Sequence, residues 1–409
     1  MRRAAAVEQT IALLLLLVGT SAAAQPTPVQ TDADSYTRYE LLAPGTAKFR
    51  ILYDVTATTA GATSYFNVIR AGSVATDERV IDRATGEPLT FDIVSGTVAR
   101  AGGVRGADSS GQYIRVRLRR PVPSDGGEQR LLIDKTYEDA RSYFADGATL
   151  VFRRGLGIKR NTVVLPPGHA LISCNYPSQV LQEPDGRLAV SFFNVTPAEA
   201  PLELRFAPSP SIGSTRPSSV AARLDERARQ TREIVYFLRD PGTHAFDLYH
   251  DYTEQRTGVG SYLNVVRAGS TVSNPSARNL DTGDTLAWTI VKGVDDITRR
   301  GLDVPNATAG TEVVVFSFAP VAAGQSVRLR MFETYTDPAR YRLEGDELVW
   351  DRAFGRPANA VVLPAGWVLT NSAAPATVST LPDGRIRLDF LNPRPDELGT
   401  LVTARRRAP

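Results

Sequence analysis

Histidine and cysteine are the side chains in this sequence with the widest chemical range, and both are scarce. The 409 residues include three histidines and one cysteine. His244 and His250 are six residues apart in a predicted strand, a spacing that places both side chains on one face. A catalytic zinc site ordinarily takes three protein ligands, often with an HExxH helix, and no HExxH motif is present. The sequence therefore predicts no metal site and no cofactor.

Nucleophilic and nucleotide-binding signatures are also missing from the sequence. Cys174 is the only cysteine, so no intramolecular disulfide forms, and it is expected to pack as a small apolar side chain. There is no GxSxG nucleophile motif, no phosphate-binding GxxxxGK[ST] loop and no GxGxxG dinucleotide motif. The sequence favours a non-enzymatic role, although it leaves enzymatic activity open.

Carboxylates that recur along the chain keep one class of enzyme open. Asp54 and Asp251 occupy similar sequence contexts, as do Asp139 and Asp337. Glycoside hydrolases act with two carboxylates, so a hydrolytic site between two domains is one interpretation. The alternative is that these aspartates cap turns or pair with recurring arginines, and we expect structural roles. The recurring arginines are Arg70, Arg154, Arg267 and Arg352.

An internal duplication accounts for these recurrences. Residues 64–73 (SYFNVIRAGS) return 197 positions later as residues 261–270 (SYLNVVRAGS). The motif VVLP at 163–166 returns 198 positions later at 361–364. A period this long exceeds that of a solenoid repeat, so each copy is predicted to be a whole domain.

The start of the sequence has the order of a secretory signal peptide. Arg2 and Arg3 precede an apolar run over residues 11–18, which small residues follow. Cleavage is predicted after Ala24, which places the mature protein in the periplasm or outside the cell. No later apolar run is long enough to span a bilayer, so no transmembrane segment is expected. The formal net charge of +3 is too small to indicate a nucleic-acid partner.

Alternating apolar and polar residues predict strands throughout the chain. Ile114, Val116 and Leu118 alternate with arginines, and Val327, Leu329 and Met331 follow the same pattern. Turn sequences separate these runs and no strand–helix–strand rhythm is visible. The predicted fold class is all-β, with two tandem homologous β-sandwich domains and a short linker. The predicted boundaries are 1–24 for the signal peptide, 25–36 for a flexible segment, 37–207 for the first domain, 208–231 for a Pro/Ser-rich linker with a short helix, and 232–409 for the second domain.

Residues 361–393 (VVLPAGWVLTNSAAPATVSTLPDGRIRLDFLNP) resemble part of a known protein family. Their Leu-Pro-x-Gly edge, Asp-Gly turn and closing strand resemble the β-sandwich N-terminal domain of M1-family metallo-aminopeptidases. Residues 163–194 carry the same order. The catalytic domain of that family, with its zinc-binding HExxH, has no counterpart here. The resemblance therefore implies a fold and a supporting or binding role, and it does not imply peptidase activity.

The expected function is that of an exported, non-enzymatic protein that binds a protein or glycan partner in the cell envelope. A glycan hydrolase and a structural envelope protein are the alternatives. Trp288 and Trp350 are predicted to pack in the core, whereas Trp367 follows a turn and is expected to be exposed. The predicted binding surface consists of Tyr65, Asn67, Arg70, Tyr262, Asn264, Arg267 and Trp367.

Overall fold

The chain folds almost entirely into β-strands. The computed structural model describes residues 27–196, 198–209 and 224–407, apart from the side chain of Asp34. The predicted signal peptide and most of the predicted linker lie outside these residues. Of the predicted linker helix, residues 224–231 are described, and they form a turn at 227–229 and no helix. None of the helices in the described part of the chain has the length and apolar character needed to cross a bilayer.

The described chain has a first half (residues 27–209), a connecting segment (residues 224–232) and a second half (residues 233–407). The strands of the first half are β1 (Asp32–Leu41), β2 (Lys48–Ala57), β3 (Ser64–Ile69), β4 (Val74–Asp82), β5 (Phe91–Ser95), β6 (Gln112–Arg117), β7 (Gln129–Glu138), β8 (Tyr143–Asp146), β9 (Thr149–Leu156), β10 (Arg160–Val164), β11 (His169–Cys174), β12 (Gln179–Gln182), β13 (Leu188–Phe193) and β14 (Ala200–Pro208). A short helix α1 (Gly96–Ala101) joins β5 to β6.

The second half repeats this series of elements. Its strands are β15 (Glu233–Leu238), β16 (Ala245–Glu254), β17 (Ser261–Val265), β18 (Thr271–Asn279), β19 (Ala287–Lys292), β20 (Glu312–Ser317), β21 (Val327–Thr336), β22 (Tyr341–Glu344), β23 (Glu347–Phe354), β24 (Ala358–Val362), β25 (Trp367–Ser372), β26 (Thr377–Thr380), β27 (Ile386–Leu391) and β28 (Leu398–Arg406). A 3₁₀ turn (Pro241–Thr243) precedes β16, and helix α2 (Val294–Arg299) joins β19 to β20.

Each half contains three sheets with the same strand order. The seven-stranded sheet runs β12-β13-β10-β1-β2-β7-β4 in the first half and β26-β27-β24-β15-β16-β21-β18 in the second. The four-stranded sheets are β11-β14-β9-β8 and β25-β28-β23-β22, and the three-stranded sheets are β3-β6-β5 and β17-β20-β19. Neighbouring strands are antiparallel except β1 with β10 and β15 with β24.

The seven-stranded sheet of each half packs its inner face against the two smaller sheets. Along β2, the buried residues Phe49, Ile51, Tyr53 and Val55 alternate with less buried neighbours. They share one core with apolar residues of the four-stranded and three-stranded sheets. The predicted alternation in β6 is confirmed, because Ile114 and its in-phase neighbours are buried. The all-β sandwich class predicted from the sequence is therefore confirmed.

A buried ion pair lies beside the aromatic core of each half. Arg154 Nη1 is 3.3 Å from a carboxylate oxygen of Asp139, and Arg352 Nη1 is 3.0 Å from Asp337. Both guanidinium groups lie over aromatic rings, Arg352 at 5.2 Å from the ring centre of Phe246. The structural interpretation of this matched set is confirmed, since each aspartate holds a turn and a buried arginine.

Asn194 holds the turn after β13 and gives a first testable prediction. Its Nδ2 donates to the carbonyls of Leu156 and Ala198, and its Oδ1 accepts from the backbone N–H of Thr196. The side chain is 2% exposed, so alanine leaves these buried groups unpaired. We expect Asn194→Ala to lower the free energy of unfolding by ~1–3 kcal/mol in urea denaturation.

The matched control is Asn175→Ala. This exposed asparagine also bonds backbone groups, donating to the carbonyl of Pro201 and accepting from the N–H of Glu203. Water replaces those bonds, so the expected loss is within about 0.5 kcal/mol. Equal losses in the two variants would contradict a special role for the buried turn.

Candidate functional site

The tyrosines of the predicted binding surface are buried. Tyr65 is 3% exposed and its hydroxyl donates to Asp32 at 3.1 Å. Tyr262 is 8% exposed and its hydroxyl lies 3.3 Å from Nδ1 of His250. The expectation that they line an open surface is wrong, because each three-stranded sheet is covered on both faces by apolar clusters. Their part in binding stays a prediction.

The matched asparagines face two different buried ionisable groups. Lys135 Nζ donates to Asn67 Oδ1 at 2.6 Å, whereas Asn264 Nδ2 donates to Glu333 Oε2 at 2.5 Å. Burial, together with the charge of Arg154, lowers the pKa of Lys135 to about 7. Burial raises the pKa of Glu333 to about 7 despite its bond to Asn264. Both asparagines thus serve as partners inside the fold.

The matched arginines of the predicted surface join the sheets. Arg70 Nη1 donates to the carbonyl of Gly155 at 2.9 Å. Arg267 Nη2 lies 3.4 Å from the carbonyl of Ala353 and 3.2 Å from Glu397. These bonds link the segment after β3, and the segment after β17, to the four-stranded sheet of the same half. Contact of either arginine with a partner remains a prediction.

The three tryptophans divide differently from what the sequence predicted. Trp367 is 4% exposed and the guanidinium of Arg406 covers its ring at 5.0 Å, so its predicted exposure is wrong. Trp288 is 46% exposed, which contradicts its predicted core position, because β19 is an edge strand. Trp350 is fully buried, as predicted.

The histidines and the cysteine make local contacts. His244 lies before β16 in a left-handed conformation (φ 55°), and its Nδ1 is 2.9 Å from the carbonyl of Tyr341. Cys174 Sγ donates to the carbonyl of Tyr176. Across the ranges that the structure describes, no three or more His, Cys, Asp or Glu side chains are grouped to hold a metal ion.

Charged residues that sequence analysis did not select join the two halves. Arg130 of β7 binds Asp281 with two hydrogen bonds of 2.8 Å, and both side chains are at most 10% exposed. Asp281 also accepts the backbone N–H of Arg328 at 2.7 Å. Burial raises the pKa of Glu128 to about 7, although Arg328, at 3.6 Å, and Arg130 oppose the shift.

These contacts are reciprocal between equivalent positions. Residues 128 and 130 correspond to residues 326 and 328 through the offset of 198 that relates the halves. Arg130 Nη1 donates to Ser326 Oγ at 3.0 Å, and Arg328 faces Glu128. Position 130 of the first half therefore contacts position 326 of the second half. The equivalent position 328 of the second half contacts position 128 of the first half.

A large cavity (the central cavity) opens beside this contact. Its volume is 1070 Å³, and residues of both halves and of the connecting segment line it. A second cavity of 480 Å³ shares part of the lining, including Tyr36 and Arg83. Basic and hydroxyl side chains dominate the walls, among them Tyr36, Arg83, Arg160, Arg232, Tyr252 and Arg356.

The connecting segment forms one wall of the central cavity and is bonded to both halves. Glu226 accepts hydrogen bonds from the hydroxyls of Tyr36 and Thr162 in the first half. Arg227 donates to the carbonyls of Gly355 and Asn392 in the second half. Burial and the charge of Glu226 raise the pKa of Tyr36, which keeps that hydroxyl protonated. The wall is thus held in place by bonds from both sides.

Two arginines of the central cavity, Arg232 and Arg356 (the arginine pair), stand out electrostatically. Arg232 lies with its guanidinium 4.4 Å from the ring centre of Tyr252. Burial lowers the pKa of Arg356, and the positive charge of Arg232 adds to this effect. Burial also lowers the pKa of nearby His250, with Arg356 and Arg232 contributing, so this histidine is neutral.

Comparisons with known proteins add little beyond the fold. No described protein family matches the sequence, and no curated protein matches it. Among solved structures, an M1 zinc metallopeptidase from Deinococcus radiodurans is 13% identical, with a TM-score of 0.28. The match covers 44% of this chain and 42% of the metallopeptidase, so M1 peptidases are similar to this chain over a part of it, as the sequence resemblance indicated.

Two further structures show the same level of similarity. A protein from Legionella pneumophila, described as nutrient binding, is 9% identical with a TM-score of 0.27, covering 44% of this chain and 68% of its own. A collagen adhesin from S. aureus is 8% identical with a TM-score of 0.17, covering 80% of this chain and 85% of its own. At TM-scores below 0.5, none of these similarities carries an argument about function.

Proposed function

We propose that this protein is an exported binding protein that holds a glycan of the cell envelope in the central cavity. The observation that carries the proposal is a cavity of 1070 Å³ between the two halves, lined by polar side chains. Ligand cavities of proteins commonly have volumes of about 300–1,000 Å³. A concave site of this size suits a short oligosaccharide better than the surface of a folded protein.

The chemistry of the walls supports a hydroxyl-rich ligand. Gln255, Gln325 and Thr253 line the central cavity beside the guanidinium groups and supply neutral donors and acceptors. Tyr252 lines the same wall beneath the guanidinium of Arg232. Sugars are rich in hydroxyl groups, and these donors and acceptors match them.

A glycan hydrolase is the alternative, and the geometry favours binding instead. Four carboxylates line the central cavity, and all of them except that of Asp225 are bonded to protein groups as follows. Asp54 pairs with Arg83 at 2.6 Å, and Glu183 pairs with Arg38 at 2.5 Å. Glu226 accepts hydrogen bonds from two hydroxyl groups, those of Tyr36 and Thr162. A general acid or nucleophile needs a carboxylate that reaches the substrate, and these three are held away from that task.

Filling the central cavity tests the proposal. Gln325 is exposed and lines the cavity, so Gln325→Trp places an indole in the ligand volume. The mature protein is applied to an array of bacterial envelope oligosaccharides, and the affinity of each bound glycan is measured by isothermal titration calorimetry. We expect the variant to lose about tenfold or more in affinity.

Ala323→Trp is the matched control, because Ala323 is exposed two residues away and does not line the cavity. It should bind as the unmodified protein does. If no oligosaccharide binds, or if Gln325→Trp binds with unchanged affinity, the central cavity is not a glycan site.

A further inference from the structure

The half-buried arginine pair lacks the carboxylate partners that several buried arginines of this chain have. Arg130, Arg154 and Arg352 each contact a carboxylate. For Arg232 and Arg356, no carboxylate oxygen in the described part of the chain lies within 4 Å of the guanidinium, as an ion pair would require. Two positive charges therefore line the cavity without a direct ion-pair partner among the described residues.

Glu254, an acidic group close to this wall, is already engaged. Tyr252, which lies beneath Arg232, donates its hydroxyl to Glu254 at 2.8 Å. Glu254 also accepts two hydrogen bonds from the guanidinium of Arg256 and backbone N–H groups of residues 255 and 256. The oxygens of this carboxylate already accept hydrogen bonds from Tyr252 and from residues 255 and 256. Glu254 therefore does not form an ion pair with the arginine pair.

The fold does not require these two arginines. The equivalent positions of the first half hold Ser35 and Ile158, through the offsets of 197 and 198 that relate the halves. Ile158 packs there against the apolar core. Since the first half builds the same strand order without either charge, the arginine pair is an addition confined to the second half.

A pair of like charges in a partly buried site raises the free energy of the protein until an anion joins it. Buried His250, close to the pair, is neutral and adds no negative charge, and its Nε2 has no hydrogen-bond partner. Guanidinium groups bind the oxygens of carboxylates and phosphates through paired hydrogen bonds. The ligand class that fits is therefore a sugar that carries an oxyanion.

We propose that Arg232 and Arg356 form a subsite for an oxyanion, a carboxylate or phosphate group, on the glycan bound in the central cavity. This inference rests on the proposed function for its glycan component. The arginine pair itself can be tested without a sugar. Acidic glycans bind through the pair, and neutral glycans bind without its help.

The test uses Arg232→Ser and Arg356→Ile, which introduce the residues of the first half at the same positions. Calorimetry with oligogalacturonate, a phosphorylated oligosaccharide and a neutral oligogalactose separates carboxylate from phosphate recognition. We expect the variants to lose about 10- to 100-fold in affinity for the preferred acidic sugar and to keep their affinity for the neutral one. Arg119→Ser, which removes an exposed charge outside the cavity lining, is the control and should keep both.

Inorganic phosphate separates failure of the subsite from failure of the glycan proposal. Phosphate at about 20 mM should raise the Tm of the unmodified protein and should raise that of Arg356→Ile by less. If that difference appears while no sugar binds, the oxyanion subsite stands and the glycan function is wrong. If phosphate shifts both proteins equally, or if both variants bind acidic sugars normally, the subsite is wrong.

Discussion

Replacing Arg130 with methionine is expected to lower the free energy of unfolding by ~3–5 kcal/mol, because it leaves a charge buried between the halves. Its partner Asp281 is 4% exposed and loses two hydrogen bonds of 2.8 Å in this variant. Methionine keeps most of the side-chain volume, so the loss reports the charge and its bonds. Urea denaturation followed by tryptophan fluorescence measures the change, since every tryptophan lies in the second half.

Two further variants establish the cause of the Arg130 effect. Arg153→Met removes an exposed ion pair with Glu203 and should cost at most about 1 kcal/mol. The double variant Arg130→Met/Asp281→Asn should recover part of the loss, because an amide still accepts the backbone N–H of Arg328 and carries no charge. A loss no larger than that of Arg153→Met would show that the pair does not hold the halves together.

Replacing Lys135 with methionine is expected to stabilise the protein. The pKa of this buried lysine falls from 10.5 to about 7, and each pKa unit corresponds to about 1.4 kcal/mol. Removing the charge gains ~5 kcal/mol, from which the unpaired oxygen of Asn67 subtracts ~1–3 kcal/mol. A net gain of ~2–4 kcal/mol in urea denaturation at pH 7 follows.

The pH dependence of this gain identifies its origin. Between pH 7 and 10.5 the unfolded lysine binds a proton that the folded one has lost, so the cost of burying it falls as the pH rises. The gain from Lys135→Met should be complete below pH 7. It should turn into a net loss of ~1–3 kcal/mol near pH 10.5, where only the unpaired oxygen of Asn67 remains. Glu333→Gln should behave oppositely, because burial raises the pKa of Glu333 from 4.5 to about 7. Its gain should be complete above pH 7 and vanish near pH 4.5, and pH-independent gains in both variants would exclude this explanation.

Strand positions and core residues could be predicted from the sequence because alternation reports burial on one face. Ile114 and Val116 are fully buried, as their alternation with arginines indicated. Tyr65, by contrast, was assigned to an exposed binding surface without such a pattern, and it is buried. Its sheet is covered on both faces, so polar neighbours such as Asn67 point to buried partners and not to solvent. The burial of Trp367 depends on Arg406, a residue 39 positions away that no local pattern connects to it.

The central cavity could not be predicted because it exists only where the two halves meet. Its lining brings together side chains such as those of Tyr36 and Arg356, which are some three hundred positions apart in the sequence. The tyrosines, asparagines and arginines of the predicted binding surface match between the halves, and they make contacts inside the fold. The signal for the arginine pair lay in a mismatch, with Ser35 and Ile158 at the equivalent positions.

The reciprocal contact between the halves has a consequence for symmetry. When two identical chains associate about a twofold axis, every substitution appears on both sides of the interface at once. A homodimer of the first half would bring two copies of Glu128 to this interface, and a homodimer of the second half would bring two copies of Ser326. Covalent linkage removes that constraint, so one carboxylate faces Arg328 while a neutral hydroxyl faces Arg130. A single polypeptide thereby permits an asymmetric pairing at this contact that neither half could reach by self-association.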